Sequence, residues 1–359
     1  MKITYVLKGN PEWLPPVMNQ IKILKELNHE IYLITSNISE AFRTYLEKNN
    51  IHFNLYRNKH KVKIINWICF RYFARRKIRK ASFDLLIYGS LDTAIVLEDF
   101  KKKKNSILNI WELYDKYFFY ESYMKIFLRK FPFLICPEYN RGFLLKHSYK
   151  LDKLPTVLPN KPDFFGEVDI TSIQNVIEIV TNISNSHKII IYQGQIYSDR
   201  NLETIALELK KLNSDRYFFV LLGIDHGGFV DKIKEIYQNT YYIGYIPAPL
   251  HLEITKYAHI GIVNYAENSL NNIYCAPNKI YEYGAFSKPM IGNNIPGLKY
   301  TIEHSNSGIC VNYSIENEFI VALNNIESNY GFYSANSKRM YDNIDNKKEL
   351  SKLIDSIHI

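Results

Sequence analysis

The segment YCAPNKIYEYGAFSKPMI, residues 274–291, sets a short helical stretch in front of an apolar strand. Pro277 stands where a helix takes its first turn, and Pro289 stops the chain from continuing it. Lys279 and Glu282 are three positions apart, so they share a helix face near the N-terminus. That end of a helix offers free N–H groups and partial positive charge, which together seat a diphosphate. Lys279 adds a point charge to the seat, and Pro277, Asn278 and Ile280 complete the first turn around it. Glu282, set deeper, is placed to accept hydrogen bonds from a ribose diol. Gly284 and Ala285 leave room for close packing. Seen alone, a Lys and a Glu at this spacing form an ordinary solvated pair; their surroundings decide otherwise.

Outward from this segment, short apolar runs alternate with stretches of helical period. After residue 185 the runs are 188–193, 218–222, 240–243, 260–264, 289–291 and 308–311, with helix-like segments at 202–212, 230–238, 250–257 and 277–286. Before residue 165 they are 3–7, 31–35, 51–56, 85–88, 107–110 and 133–136, with helix-like segments at 16–27 and 39–48. Apolar strands alternating with helices mean parallel sheets covered on both faces. The two series meet at LPNKPD, residues 158–163, where prolines suit a linker. The expectation is an α/β protein of two Rossmann-like domains, 1–165 and 166–359, with parallel sheets facing a cleft. A last helical stretch, 338–357, is expected to pack back on the first domain.

The second half carries further motifs in a fixed order. Tyr192-Gln193-Gly194-Gln195 and Asp199-Arg200-Asn201-Leu202 follow its first strand, Gly244-Tyr245-Ile246-Pro247 follows its third, and Ala258-His259-Ile260-Gly261-Ile262 precedes the opening segment. Together these residues resemble the donor half of retaining GT-B glycosyltransferases, especially family 4 and its capsule and O-antigen relatives. The resemblance implies a glycine turn at Gly194 and Gln195, a phosphate-binding cation at Arg200, and a loop at Tyr245 and Ile246 against which the base stacks. Cys136-Pro137, Arg141 and Val157-Leu158-Pro159-Asn160 fall where relatives have similar residues. It further implies a hexosyl-type transferase acting without a metal on a nucleotide-sugar donor, foremost a UDP-sugar. The acceptor so implied is a lipid-linked glycan in surface polysaccharide assembly. Many relatives carry two glutamates eight positions apart. Here Tyr274 stands eight before Glu282, and Glu267 lies at another spacing, so retention and the identity of the sugar are left open. A GT-B nucleotide-sugar 2-epimerase and a non-catalytic membrane-bound partner of a transferase are the alternative readings.

Charge divides the chain unevenly. Residues 1–165 hold 29 Lys and Arg against 15 Asp and Glu, and the remainder holds 16 against 21. An excess confined to one half points that half toward an anionic surface. Residues 57–80, RNKHKVKIINWICFRYFARRKIRK, and 116–133 interleave cations with aromatic residues, as interfacial helices on anionic lipid do. The plain alternative is a solvated basic helix over an ordinary core. A groove for single-stranded nucleic acid is disfavoured because no such module pattern occurs, so no nucleic-acid partner is expected. Near the end of a strand, Glu112 in IWELYD is the candidate to touch the acceptor hydroxyl or the donor sugar, its plain alternative being a helix-start carboxylate, with Lys8-Gly9-Asn10 as a loop near the reacting sugar. Glu112, Arg200 and Lys279 are thus the expected catalytic groups. No Asp-x-Asp and no metal-like spacing among the ten histidines or four cysteines is present, so no metal or cofactor is expected. Without an apolar run of about 18 residues or a signal-peptide pattern, the expected location is cytoplasmic, at the inner face of the cell membrane.

Overall fold

The computed structural model describes residues 1–57, 62–97, 105–162, 169–212 and 215–357. Residues 58–61 of the first basic segment, the Lys101–Lys104 run, Asp163 at the end of the expected linker and the boundary expected near 165 lie outside the described residues. The chain divides into two compact units, Met1–Asn160 with Asp345–Ile359, and Lys161–Ile344.

The first unit is built on seven strands: β1 (Lys2–Val6), β2 (Glu30–Ser36), β3 (His52–Tyr56), β4 (Leu85–Tyr88), β5 (Ser106–Asn109), β6 (Phe133–Cys136) and β7 (Thr156–Val157). Their order is β3-β2-β1-β4-β5-β6-β7, all parallel. The second holds β8 (Lys188–Gln193), β9 (Tyr217–Leu222), β10 (Thr240–Gly244), β11 (Ile260–Val263), β12 (Met290–Asn293) and β13 (Gly308–Val311), in the parallel order β10-β9-β8-β11-β12-β13. Both are Rossmann-like α/β sheets, and both have one switch point where the strand order reverses: between β1 and β4, and between β8 and β11.

Burial on both faces explains the unbroken apolar runs. In β8, Ile189 and Ile191 pack into one core with Val220, Leu222, Val263 and Met290, while Ile190 and Tyr192 pack into another with Phe219, Leu221, Ile262 and Ile291. Alternate side chains of one strand therefore feed two separate layers, as a sheet between helices requires.

Two expectations change in detail. The proline-rich segment before residue 160 is not only a linker, because Thr156–Val157 pairs with β6 as the sheet's last strand. An edge position tolerates flanking prolines, since one side of the strand needs no ladder donor. The C-terminal stretch is two helices, Tyr330–Asp342 in the second unit and Asn346–Asp355 in the first. Asp345 divides them, its carboxylate accepting from the Lys348 N–H at 2.8 Å as an N-cap. Leu350, Leu353, Ile354 and Ile357 then join the core of the first sheet, and Lys347 pairs with Glu26.

At the amino ends of the second sheet, Glu327 accepts from Lys188, from Arg216 at 2.8 Å and from His259 Nε2 at 2.9 Å, while the His259 ring stacks on Tyr330. Burial lowers the His259 pKa from its ordinary 6.5 to about 4, against the opposing pull of Glu327. Burial works to raise the Glu327 carboxyl, but the Lys188 bond, His259 and Arg216 leave it lowered. An unfolded histidine takes its proton below 6.5 and the folded one resists until about 4, so stability falls as pH drops across that window. Glu327 adds a loss in the same direction as pH falls through its lowered folded value. Urea melts at pH 7 and pH 5 are expected to show a lower midpoint at pH 5, with a smaller difference in His259→Phe.

Candidate functional site

The switch point of the second sheet opens where β8 and β11 end, and ligands of open α/β sheets bind at such points. The sequence-predicted donor residues gather there. The helix Asn278–Ala285 starts near this end and packs on the sheet, with Tyr283 buried and its hydroxyl donating to the carbonyls of Ile191 and Ile262 at 3.3 Å. An added Cβ at Gly261 would lie 2.3 Å from the Tyr283 ring, so the glycine of β11 is what lets the helix sit this close. At Gly284, a Cβ would come within 3.0 Å of the Ser337 carbonyl, and the helix Tyr330–Asp342 occupies that side.

Pro277 is the N-cap of this helix, not a donor within it. Having no N–H and making no side-chain cap, it leaves the N–H groups of Asn278, Lys279 and Ile280 as the free donors of the first turn. Lys279 is buried, its ammonium 4.4 Å from the centroid of Tyr192 and 5.4 Å from that of Tyr265. It makes no ion pair among the described residues. Burial, and next the charge of Arg200, lower its pKa from 10.5 to about 7, against weaker support from Glu282. Arg200 lies 4.6 Å over the same Tyr265 ring and donates to the Asn264 carbonyl at 3.3 Å, while the Asn264 amide donates back to the Arg200 carbonyl at 2.9 Å. Its Nε is buried with no hydrogen-bond partner among the described residues, 3.5 Å from an Asp199 carboxylate oxygen. Two cations thus flank one tyrosine ring at a helix N-terminus.

Close backbone approach makes room for them. Gly194 has φ +132°, and a Cβ there would stand 3.0 Å from the Lys279 ammonium. Gly223, at φ +146°, would place a Cβ 1.7 Å from the Gly194 carbonyl oxygen. Only glycine fits either position. Gln195 is turned aside, its side-chain amide oxygen bonded to His226 and accepting from the Tyr197 hydroxyl at 3.2 Å.

Glu282 is buried one turn deeper. Gln193 donates to its Oε2, and His251 Nε2 lies 3.2 Å from Oε1. Burial favours the neutral acid, yet His251, the Gln193 bond and Lys279 together hold its pKa below the ordinary value. The same contact raises His251, against the effect of its own burial. Gln193 in turn accepts from Thr255 at 2.9 Å. Through His251 this network fixes the loop after β10, in which Ile246 is buried beside Ile280 and Tyr281 while Tyr245 is exposed. Tyr274 is half-buried and Glu267 exposed.

Glu112 belongs to the first unit, in the loop after β5, where Arg141 pairs with it at 3.3 Å and donates to the Trp111 carbonyl. The Trp111 indole donates to the Gly89 carbonyl at 2.8 Å, which binds this loop to the end of β4. Close by, Lys8 follows β1 with its ammonium 3.8 Å from Asp92 and 3.8 Å from the centroid of Trp67. Tyr120 donates to Asp92 at 2.5 Å and stacks on Tyr114 at 4.6 Å. Tyr265, His251, Asp92 and Tyr120 escaped the sequence reading, and Tyr192 was quoted there without a role, because aromatic and single polar residues after strands carry no spacing signal. Tyr265 was reachable, since it immediately follows the 260–264 run.

The two Rossmann-like units constitute the GT-B fold, and solved structures that share it with this chain include glycosyltransferases. A glycosyltransferase from Rickettsia africae superposes with a TM-score of 0.71 at 15% identity, covering 99% of this chain and 98% of that one. Anabaena Alr3699/HepE in complex with UDP and glucose gives 0.69 at 14% identity, with 99% of each chain covered. The sucrose-phosphate synthase of Thermosynechococcus elongatus gives 0.71 at 12%, again with 99% of each covered. No protein-family model matches the chain, and no curated protein matches it in sequence.

Proposed function

We propose that this protein is a glycosyltransferase that moves a hexosyl group from a nucleotide-sugar, foremost a UDP-sugar, to a lipid-linked glycan at the inner, anionic face of a membrane, in surface polysaccharide assembly. One observation carries the donor half of this reading: a buried lysine with no ion pair among the described residues stands beside an arginine at the free N-terminus of a helix. A buried cation left unpaired is costly, and a diphosphate is the ligand whose charge and oxygens match it. That the Anabaena protein of like fold binds UDP, glucose and UDP-glucose favours uracil as the base. Glu282 keeps a second lone pair on each oxygen for a ribose diol, and the exposed Tyr245 offers a ring to the base.

In the reaction, the bond between the sugar's anomeric carbon and the diphosphate oxygen breaks, and the acceptor oxygen bonds to that carbon. Arg200, Lys279 and the N–H groups of Asn278–Ile280 meet the charge that grows on the leaving diphosphate, with no metal in this role. The acceptor's proton passes to the departing phosphate oxygen, on the same face if configuration is retained. Glu112 orients the acceptor hydroxyl.

A thermal-shift panel of UDP, GDP and dTDP sugars tests the proposal. At ligand a hundredfold above its Kd, binding contributes about 2.7 kcal/mol, so UDP and its sugars are expected to raise the midpoint by several degrees. A panel in which no nucleotide moves the midpoint defeats the donor reading.

A further inference from the structure

Two helices of the first unit expose large apolar side chains around one polar cluster. On Lys63–Lys80, Ile64, Ile68 and Tyr72 recur every fourth residue and are all exposed, Tyr72 to 72%. At the start of Phe118–Phe127, Tyr117, Phe118 and Phe119 are exposed, Phe118 to 83%. Phenylalanine so exposed is unusual unless it meets something apolar.

A chain of contacts puts these two sets on the same rim. Trp67, one turn from Ile64 and next to Ile68, lies against the Lys8 ammonium. Lys8 faces Asp92, and Asp92 accepts from Tyr120. Tyr120 in turn touches Tyr117 and Phe119, with ring centroids 5.9 and 6.0 Å apart. The apolar residues therefore flank the Lys8–Asp92–Tyr120 cluster at the carboxyl ends of β1 and β4.

Charge selects what the rim meets. Residues 63–80 hold seven Lys and Arg and no Asp or Glu; residues 116–130 hold four and a single Glu, Glu121, which Lys125 pairs. Lys63 and Arg76, on the helix that carries Ile64, Ile68 and Tyr72, and Lys116, next to Tyr117, are exposed. Apolar side chains with cations beside them match a bilayer surface, where rings enter the acyl boundary and long basic side chains reach lipid phosphates.

We propose that this rim is an insertion edge for anionic lipid bilayers. The Lys8–Asp92–Tyr120 cluster it surrounds is the site that receives the acceptor's polar end, delivered from the lipid surface. The inference rests on the reading that the first unit takes a membrane-held acceptor, and it names the residues that do so.

Vesicle flotation of the full chain tests it, with phosphatidylcholine alone and with equal parts of phosphatidylglycerol. The parent is expected to float with the anionic vesicles at low salt and less at high salt. Phe118→Ser/Phe119→Ser and Ile64→Ser/Ile68→Ser are each expected to lower partitioning by about tenfold or more. Their thermal midpoint and its shift with UDP stay as in the parent, because these side chains are exposed and lie outside the donor site. Partitioning of both double variants equal to the parent, or a parent that ignores anionic vesicles, overturns the proposal. A UDP shift that persists in that case keeps the donor reading. Vesicle binding without any UDP shift sinks the donor reading alone.

Discussion

Lys279→Met is expected to raise the thermal midpoint of the ligand-free protein while lowering turnover by about 10²–10³-fold. The two effects share one cause. The ammonium is buried between Tyr192 and Tyr265 with no ion pair among the described residues, and Arg200 repels it. Methionine matches its length without the charge, so the empty protein loses a strained group. The leaving diphosphate, however, loses a cation aimed at it. The protonation state gives a sharper signature. Unfolded Lys279 holds its proton up to 10.5 and the folded one releases it near 7, so the stability gain of the Met variant is largest below pH 7 and shrinks as pH rises toward 10.5. Bound UDP favours the charged form. Its affinity for the parent is therefore expected to fall above pH 7, by up to about tenfold per unit. In Lys279→Met that dependence disappears. Calorimetric titrations at pH 6.5 and 8.5 check both statements; a Met variant with parental turnover and parental pH dependence removes Lys279 from the site.

Glu282→Ala is expected to act on stability first, costing about 3–5 kcal/mol. Removing the carboxylate strands the Gln193 amide and the His251 imidazole, both packed against it, and takes away the carboxylate whose charge supports Lys279. Glu282→Gln keeps the shape and one acceptor and is expected to lose less. The test combines urea melts with UDP titration of each variant. A fully stable Glu282→Ala protein contradicts the network described above. Weakened UDP binding in a Gln variant that remains folded supports the ribose role.

The fold was legible because a parallel sheet buried on both faces writes itself as unbroken apolar runs, and all six runs expected in each half are strands. Thr156–Val157 was hidden by its prolines, and the helices Tyr139–Tyr149, Gln174–Ser186 and Glu318–Ser328 went unassigned. Gln174–Ser186 begins without a side-chain cap, and Glu318–Ser328 starts from Asn317 in the left-handed region, so neither carries a start signal. In the candidate site, Lys279 and Glu282 were singled out because their spacing on one helix face has a physical reason, and Gly194 and Arg200 because their motifs resemble the donor half of GT-B glycosyltransferases. The partners that set their chemistry come from other strands. That His251 pairs with Glu282, or that Tyr265 lies under both cations, depends on strand order, which local sequence does not encode.

The central claim is that Arg200, Lys279 and the first turn of Asn278–Ala285 hold a diphosphate. Calorimetric titration of UDP against uridine at pH 7 tests it most directly. UDP is expected to bind at least about a hundredfold more tightly than uridine, since two cations each contribute on the order of 1.5–3 kcal/mol through charged hydrogen bonds. That gap is expected to collapse in an Arg200→Ala/Lys279→Met protein. Equal affinity of the parent for uridine and UDP would contradict the account.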